Sequence, residues 1–409
     1  MRPIDIVVPV HNGADDLPRC LASLVRHRPE NSRIVLVDDA STDPRIAPML
    51  TEFTHGQPDV LQVSQHPNRG FIATCNRGAA EARADADLLF LNTDTEVTEG
   101  WAREMAEALE SQAGAAVACP LSNNATILSV PRFQQENTLP FGMDAERMAG
   151  IVRSCAGGMR AVRIPTPVGF CMLVKRDAWQ RWGPFDEAFG RGYGEEDDFG
   201  QRVQAAGSAI VCAPRAFVYH RGAASFGVSP ELAQQRRANG ELLLSRWPNY
   251  NDRTKAWCRQ NPLRTLHEMI WRALLLPPGE SAHVLHVLDR WETSGDVRLR
   301  MVNLVNATVG FAMHTIVVPM QDKGAWLDVM DFEYARGVRV AGLLDFETRF
   351  AQFVQAAAPT VVHIHGTDWI PQELVDPLRD LYPVLTTPPE AANDTARCAE
   401  QYRRALAGR

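Results

Sequence analysis

From Ile4 to about Val218, short runs of β-branched and aliphatic residues alternate with stretches of helical periodicity. Parallel strands need a crossover, usually a helix, so this alternation is the signature of βαβ units around a mostly parallel sheet. It predicts an α/β domain over residues 1–230. The first unit reads Ile6-Val7-Val8-Pro9-Val10 as a strand, then a helix through Leu17, Leu21, Leu24 and Val25 capped by Asp15 or Asp16, then Ile34-Val35-Leu36-Val37 as the next strand. Polar clusters end both strands: His11-Asn12-Gly13 and Asp38-Asp39-Ala40-Ser41-Thr42-Asp43. Open α/β sheets bind ligands beyond such carboxyl ends, and a ligand site is expected there.

Charge and hydropathy narrow the partners. The 42 Lys plus Arg against 49 Asp plus Glu give a formal charge of −7, so the chain lacks the basic field that non-specific nucleic-acid binding requires. Its apolar runs, such as Ile6–Val10 and Leu88–Leu91, suit buried strands and fall well short of the roughly 20 residues of a membrane span. The N-terminus enters a strand directly, with no apolar signal core, and a cytoplasmic location is expected. Eight cysteines lie far apart with no Cys-x-x-Cys pair, several among apolar residues, which favours buried free thiols over disulfides or zinc.

Residues 231–280 change character. Between 231 and 275 there are eight Arg or Lys against four Asp or Glu, with Trp247, Trp257 and Trp271 and with Pro248, Pro262, Pro277 and Pro278 as breaks, which reads as a helical connector. Its tryptophans are expected to pack against a domain, while its basic charge leaves peripheral contact with anionic lipid at the inner face of the cytoplasmic membrane as the alternative. From His283-Val284-Leu285-His286-Val287-Leu288 a second α/β pattern begins, continued by Thr315–Val318, Val338–Ala341 and Thr360–His365. It predicts a smaller Rossmann-like domain over 281–409.

Three clusters carry candidate chemistry. Asp87-Leu88-Leu89-Phe90-Leu91-Asn92-Thr93-Asp94-Thr95-Glu96 is a buried strand that delivers polar side chains at its end. A carboxylate there can hold Mg²⁺ or Mn²⁺, which take few protein oxygens and complete their shell with phosphate and water; a strand-ending Asx turn is the alternative. In Tyr193-Gly194-Glu195-Glu196-Asp197-Asp198-Phe199, crowded carboxylates raise one another's pKa and suit a general base, or cap a helix and complement its dipole. Val218-Tyr219-His220 places an imidazole at a strand end, structural or the completion of a metal site.

Taken in order, these elements resemble glycosyltransferase family 2, of GT-A fold, and particularly its rhamnosyltransferase-like bacterial members. The matching residues are Val8-Pro9-Val10-His11-Asn12, Val37–Asp43, Asn68-Arg69-Gly70-Phe71 with Asn76-Arg77-Gly78, Leu91–Thr95, Val168–Leu173, Gly183–Phe189, Gly194–Phe199 and Tyr219-His220, over residues 1 to about 228. The resemblance implies that Pro9, His11, Asp38, Asp39, Asn68, Asn76, Asn92 and Thr93 line the nucleotide side of a dTDP-, UDP- or GDP-sugar donor. It implies that Asp94, the last acid of the family's DxD element, binds Mg²⁺ or Mn²⁺ with His220, although Asn92 replaces the first acid. Glu196 falls at the catalytic acid's place, with Glu195 and Asp197 as rivals, and Gly169, Phe185 and Asp186 are candidates for the acceptor and sugar cleft. The implied activity is metal-dependent, inverting transfer of a sugar, rhamnose by resemblance, onto a glycan or lipid-linked glycan of the bacterial surface.

The second unit resembles the N-terminal half of a GT-B enzyme of family 4, through His286-Val287-Leu288, Trp291–Asp296 and Pro359–Gly366. The nucleotide-binding half of such an enzyme would need roughly 150 to 200 further residues, about one domain, so an orphan half that docks other glycosyltransferases, or a piece of a longer chain, is expected. His363 and His365 alternate on one strand end and read as structural. Two other classes fit part of the pattern. A nucleotidyltransferase would need a glycine-rich basic loop where His11–Asp16 is acidic, and a catalytically silent sugar-nucleotide-binding module is consistent with Asn92.

Overall fold

The computed structural model describes residues 2–139, 143–222, 230–275, 282–288, 312–320, 329–331, 335–341, 359–366 and 370–387, with single positions at 354 and between 397 and 405. They form two compact units, the first running to Ile270 and the second mostly from Trp271 onward. The first contains β1 (Ile4–Val10), α1 (Leu17–His27), β2 (Ser32–Asp39), α2 (Ile46–Thr54), β3 (Val60–Gln65), α3 (Phe71–Glu81), β4 (Asp87–Leu91), β5 (Thr95–Val97), α4 (Trp101–Ser111), β6 (Ala115–Leu121), α5 (Ala145–Ala156), β7 (Val162–Arg163), β8 (Cys171–Val174), α6 (Arg176–Trp182), α7 (Glu195–Ala205), β9 (Ala209–His220), α8 (Pro230–Arg246), α9 (Tyr250–Gln260) and α10 (Arg264–Leu275). α10 crosses the boundary between the units.

The first sheet has the order β3-β2-β1-β4-β8-β6-β9-β5, with β7 beside β9, so the fold is mixed α/β around a large central sheet. β3, β2, β1 and β4 are parallel, as the βαβ pattern predicts. Beyond β4 the expectation of a mostly parallel sheet is corrected. β8 runs antiparallel to β4 and β6, and β5 and β7 run antiparallel to β9. β1 is buried along its whole length, as a central strand covered on both faces must be. On α1, Leu17, Cys20, Leu21 and Leu24 face the core, whereas Val25 is 56% exposed. Asp16 stands at the helix N-cap position but makes no side-chain cap; its carboxylate pairs with Arg221 instead.

Where α3 lies on the sheet, Gly78 lets the backbone approach. A Cβ added there would stand 2.3 Å from Val7 Cγ1 and 3.1 Å from Val37 Cγ2. The helices after β9 are not a free connector, because those described as far as Ile270 are part of the first unit. Trp257 Nε1 donates to the Arg163 carbonyl (2.8 Å), and Leu263, Leu266 and Ile270 present one buried stripe. Among the described residues no helix is long and apolar enough to cross a membrane. Among the described residues no cysteine is in a disulfide, and six of the eight are buried.

In the second unit β10 (Ala282–Leu288), β11 (Ala312–Met320), β12 (Val329–Asp331), β13 (Ala335–Ala341), β14 (Val361–His365) and β15 (Val384–Thr387) form a sheet of order β12-β13-β11-β10-β14-β15, with α11 (Gln372–Leu381) between the last two strands. Every pair except β12–β13 is parallel. Trp291–Asp296 lies outside the described residues.

Gly78→Ala is expected to lower stability by about 1–3 kcal/mol, the usual effect of inserting a methyl into a filled core. The midpoint of chemical denaturation checks this, and an unchanged midpoint would show that α3 can move off the sheet.

Candidate active site

The carboxyl ends of β1, β2 and β4 lie side by side, with Val10 opposite Asp38 and Val7 opposite Phe90. This register brings His11, Asp38, Asp39 and Asn92–Asp94 to one edge. Pro9 is the penultimate, buried residue of β1. His11 Nδ1 and Asn68 Nδ2 both lie 2.9 Å from the Asp39 carbonyl and 2.9 Å from each other. The Asp39 carboxylate accepts from Gln65 Nε2 (2.7 Å) and from the backbone N–H groups of Arg69 (2.7 Å) and Gly70 (2.8 Å). Asp39 therefore holds the 65–70 loop in place, while Asp38 accepts from the Ser41 N–H in a strand-ending turn. Thr93 is buried, with its hydroxyl facing Gly13.

The structure does not place Asn76 in this group. Its amide donates to the Phe185 carbonyl (2.9 Å) and accepts from the Phe185 N–H (3.0 Å), so it ties α3 to the segment before α7.

At the end of β4, Asn92 Oδ1 and Asp94 Oδ1 are buried with no hydrogen-bond partner among the described residues. The other Asp94 oxygen lies 3.4 Å from His220 Nε2. His220 Nδ1 sits 2.6 Å from the Asn124 carbonyl, which can only accept, so Nδ1 carries a proton and Nε2 faces the carboxylate. Two buried oxygens near the end of β4 thus lack partners and an imidazole stands beside one of their carboxylates, donor types that could hold a divalent cation.

The acids enter from α7. Gly192, Tyr193 and Gly194 all have positive φ (143°, 74° and 100°), a sharp turn that starts the helix on Glu195. Glu195 is buried and its Oε2 has no partner among the described residues; burial, then the neighbouring Glu196, push its pKa well above the usual carboxylate range. Glu196 is half-buried and lies over the backbone of Gly169, where a Cβ would stand 3.0 Å from Glu196 Oε1. Burial, then the Asp197 charge, raise Glu196 to about 7. Asp197 is tethered by the Thr166 hydroxyl and by Tyr250 OH (2.7 Å). The next acid, Asp198, is held by Arg202 (2.9 Å), Arg246 (3.2 Å) and Trp247 Nε1 (2.9 Å).

Gly169 and Phe170 join the two ends of the site. Gly169 is the floor under Glu196, and Phe170 stacks on His220 (centroids 4.6 Å apart, 12° between planes) while its carbonyl accepts from Asn92 N–H (2.9 Å). Phe185 and Asp186, expected beside Gly169, are engaged elsewhere. Phe185 is buried among Phe90, Trp179 and Phe199, and Asp186 accepts from Ala188 N–H (2.8 Å) and pairs with Arg246 (2.8 Å). The Ala188 bond, despite partial burial, and then Arg246 hold the Asp186 pKa low. Both residues line an open groove of about 610 Å³ with Glu187, Arg202, Arg246 and Trp247.

The residues not foreseen come from α8 and α9. Asn239, buried on α8, donates to the carbonyls of Phe189 (2.8 Å), Gly192 (2.9 Å) and Tyr193 (2.7 Å), and so fastens the turn before Glu195. That turn also touches the nucleotide side of the site. The Arg191 carbonyl accepts from Phe71 N–H (3.0 Å), and its guanidinium bonds Asn68 Oδ1. The signal for this layer was charge complementarity: a basic segment after β9 facing four consecutive acids.

Residues 5–179 match the model of "Glycosyl transferase family 2". Over 237 residues the chain is 24% identical to the O-antigen biosynthesis protein RfbC of Myxococcus xanthus, covering 54% of this chain but only 17% of that protein. Over 297 residues it is 26% identical to the N-acetylglucosaminyl-diphospho-decaprenol L-rhamnosyltransferase of Mycobacterium tuberculosis, covering 64% of this chain and 88% of that one. The crystal structure of GalNAc-T7 with UDP, GalNAc and Mn²⁺ is similar at a TM-score of 0.46 and 17% identity, over 67% of this chain and 58% of that one.

Asn239→Ala removes the donor to three buried carbonyls, a loss of roughly 1–3 kcal/mol at the turn. Amide hydrogen exchange over residues 190–198 is expected to quicken about tenfold or more, with exchange in β1 unchanged; equal acceleration everywhere would make Asn239 a general core residue.

Proposed function

We propose that the first unit is a metal-dependent, inverting glycosyltransferase of GT-A type. It moves a hexose, rhamnose by the likeness to the mycobacterial relative, from a nucleoside-diphosphate donor to a lipid-linked glycan of the bacterial surface. The observation that carries this reading is the Gly169–Phe170 link, which puts a carboxylate with a pKa of about 7 at one end of a short path and the Asn92, Asp94 and His220 ligand set at the other.

In this reading His11, Asn68 and the Asp39-held loop receive the nucleotide, beside Pro9 and Asp38, and Thr93 lies between this wall and the cation ligands. Asp94, with Asn92 and His220, would hold Mn²⁺ or Mg²⁺. The bound cation supplies positive charge to the diphosphate as its bond to the sugar breaks. Glu196 takes the proton of the acceptor hydroxyl while that oxygen bonds to the anomeric carbon, and the bonding electron pair leaves with the nucleoside diphosphate. Attack from the side opposite the leaving group inverts the anomeric centre. Asp197, tethered by Thr166 and Tyr250, serves the site through its charge on Glu196 rather than as the base. Glu195 is walled off by its burial.

Glu196→Gln is expected to bind donor within about twofold of the wild type and to lose about 10²–10⁴ in kcat, the usual contribution of a positioned base. Asp94→Ala is expected instead to abolish the Mn²⁺ dependence of donor binding. Calorimetry with turnover on both variants decides this, and unchanged turnover in both would refute the assignment.

The base must be ionised, so kcat/KM is expected to rise with pH and level off above about 7. The fold carries the opposite sign. A carboxyl raised from 4.5 to about 7 binds more protons folded than unfolded between those values, so its contribution to stability falls as pH rises through that window. Glu196→Gln should therefore melt higher than the wild type at pH 8 and show no such advantage near pH 4. A wild-type activity profile flat from pH 5 to 8 would contradict the raised pKa.

A further inference from the structure

The second unit contains a grouping that the transferase reading does not use. β10 and β14 are parallel neighbours with His286 opposite His363 and Leu288 opposite His365. Strand alternation puts His363 and His365 on one face, and the register puts His286 beside them. His286 and His363 are fully buried and His365 is half-buried. Each offers a ring nitrogen, and the three nitrogens lie within 4.8 Å of one another; His286 Nδ1 is 3.0 Å from His365 Nε2. The rings of His363 and His365 have centroids 3.9 Å apart. Among the described residues this is the one cluster of three or more His, Cys, Asp or Glu side chains with that geometry.

Its position in the sheet also points to a ligand. From β10 the chain builds toward β11 and β13 on one side and toward β14 and β15 on the other, so the β10–β14 pair is where the strand order reverses. The carboxyl ends of such a pair open into the crevice where α/β sheets bind ligands, and the histidines stand toward those ends. Imidazole ligands are a poor host for Mg²⁺, which selects oxygen, and a good one for late first-row ions. Tetrahedral zinc with Zn–N bonds of about 2.0–2.1 Å separates its nitrogens by roughly 3.3 Å, and three protein ligands leave one position open.

We propose that His286, His363 and His365 form a Zn²⁺-class site in the second unit, with its open coordination position on the half-buried His365 side. The site is distinct in chemistry from the oxygen-rich set at Asp94 and does not depend on the transferase reading.

The test uses the full chain carrying Asp94→Ala, which removes the competing carboxylate, freed of metal by chelation and titrated with Zn²⁺ and then with Co²⁺. One equivalent of Zn²⁺ is expected to bind, Co²⁺ is expected to give the visible absorption of a tetrahedral site, and adding His365→Ala or His286→Ala should weaken binding at least 100-fold. Binding of no metal, or binding unchanged by either histidine substitution, would overturn the site. Should a variant fail to fold, Zn²⁺ protection from diethyl pyrocarbonate is read on the Asp94→Ala chain by peptide mass. Protection of the half-buried His365 supports the proposal, and its modification at the metal-free rate overturns it.

Discussion

Phe170 is packed against His220 and hydrogen-bonded to the backbone of Asn92, while its neighbour Gly169 carries the side chain of Glu196. The candidate site of the first unit is joined through this junction. It forms where β8 enters the sheet antiparallel to β4, bringing the segment before β8 against the residues that leave β4. Any side chain larger than hydrogen at position 169 would press on the Glu196 carboxylate, and loss of the Phe170 ring would leave His220 beside Asp94 held by its Asn123 and Asn124 bonds. Placement of a base within a fraction of an ångström of its working position is the kind of constraint on which group transfer depends.

Four consecutive carboxylates at one helix start could not stay together unsupported. The helix dipole favours them, but α8 and α9 do more. Arg246 and Trp247 engage Asp198, Tyr250 engages Asp197, and Asn239 fixes the turn that aims the first two acids. Asp197 and Asp198 are thus anchored, whereas Glu196 is left in a half-buried setting that raises its pKa. The protein sorts four similar acids into two anchored ones, one buried one and one, Glu196, that is proposed as the base, by giving each a different set of neighbours.

Much of the fold was legible because the signals are local. The strands at Ile4–Val10, Ser32–Asp39, Asp87–Leu91 and Val361–His365 are short apolar runs, and the parallel pairing of the first three follows from the helices between them. The proposed cation ligands were legible for the same reason, since Asn92 and Asp94 leave a strand directly. What escaped depends on partners distant in the chain. Asn76 carries a motif's asparagine, yet its amide serves Phe185, 109 positions away. Asp16 has the right position to cap α1, but Arg221 takes its carboxylate. Asp186 is drawn to Arg246, and the basic stretch after β9 packs on the first unit because its cations and indoles find the acids of α7. No period or spacing encodes such long-range pairings; only the opposed charge of the two segments hinted at them.

The most direct measurement is a calorimetric titration of the wild-type chain with dTDP, UDP and GDP, each with and without Mn²⁺. A nucleoside diphosphate site built on Asn92, Asp94 and His220 predicts that one of the three binds tightly and that omitting Mn²⁺ weakens it by at least tenfold. Equal affinity with and without the metal for every nucleotide, or no binding at all, would contradict it.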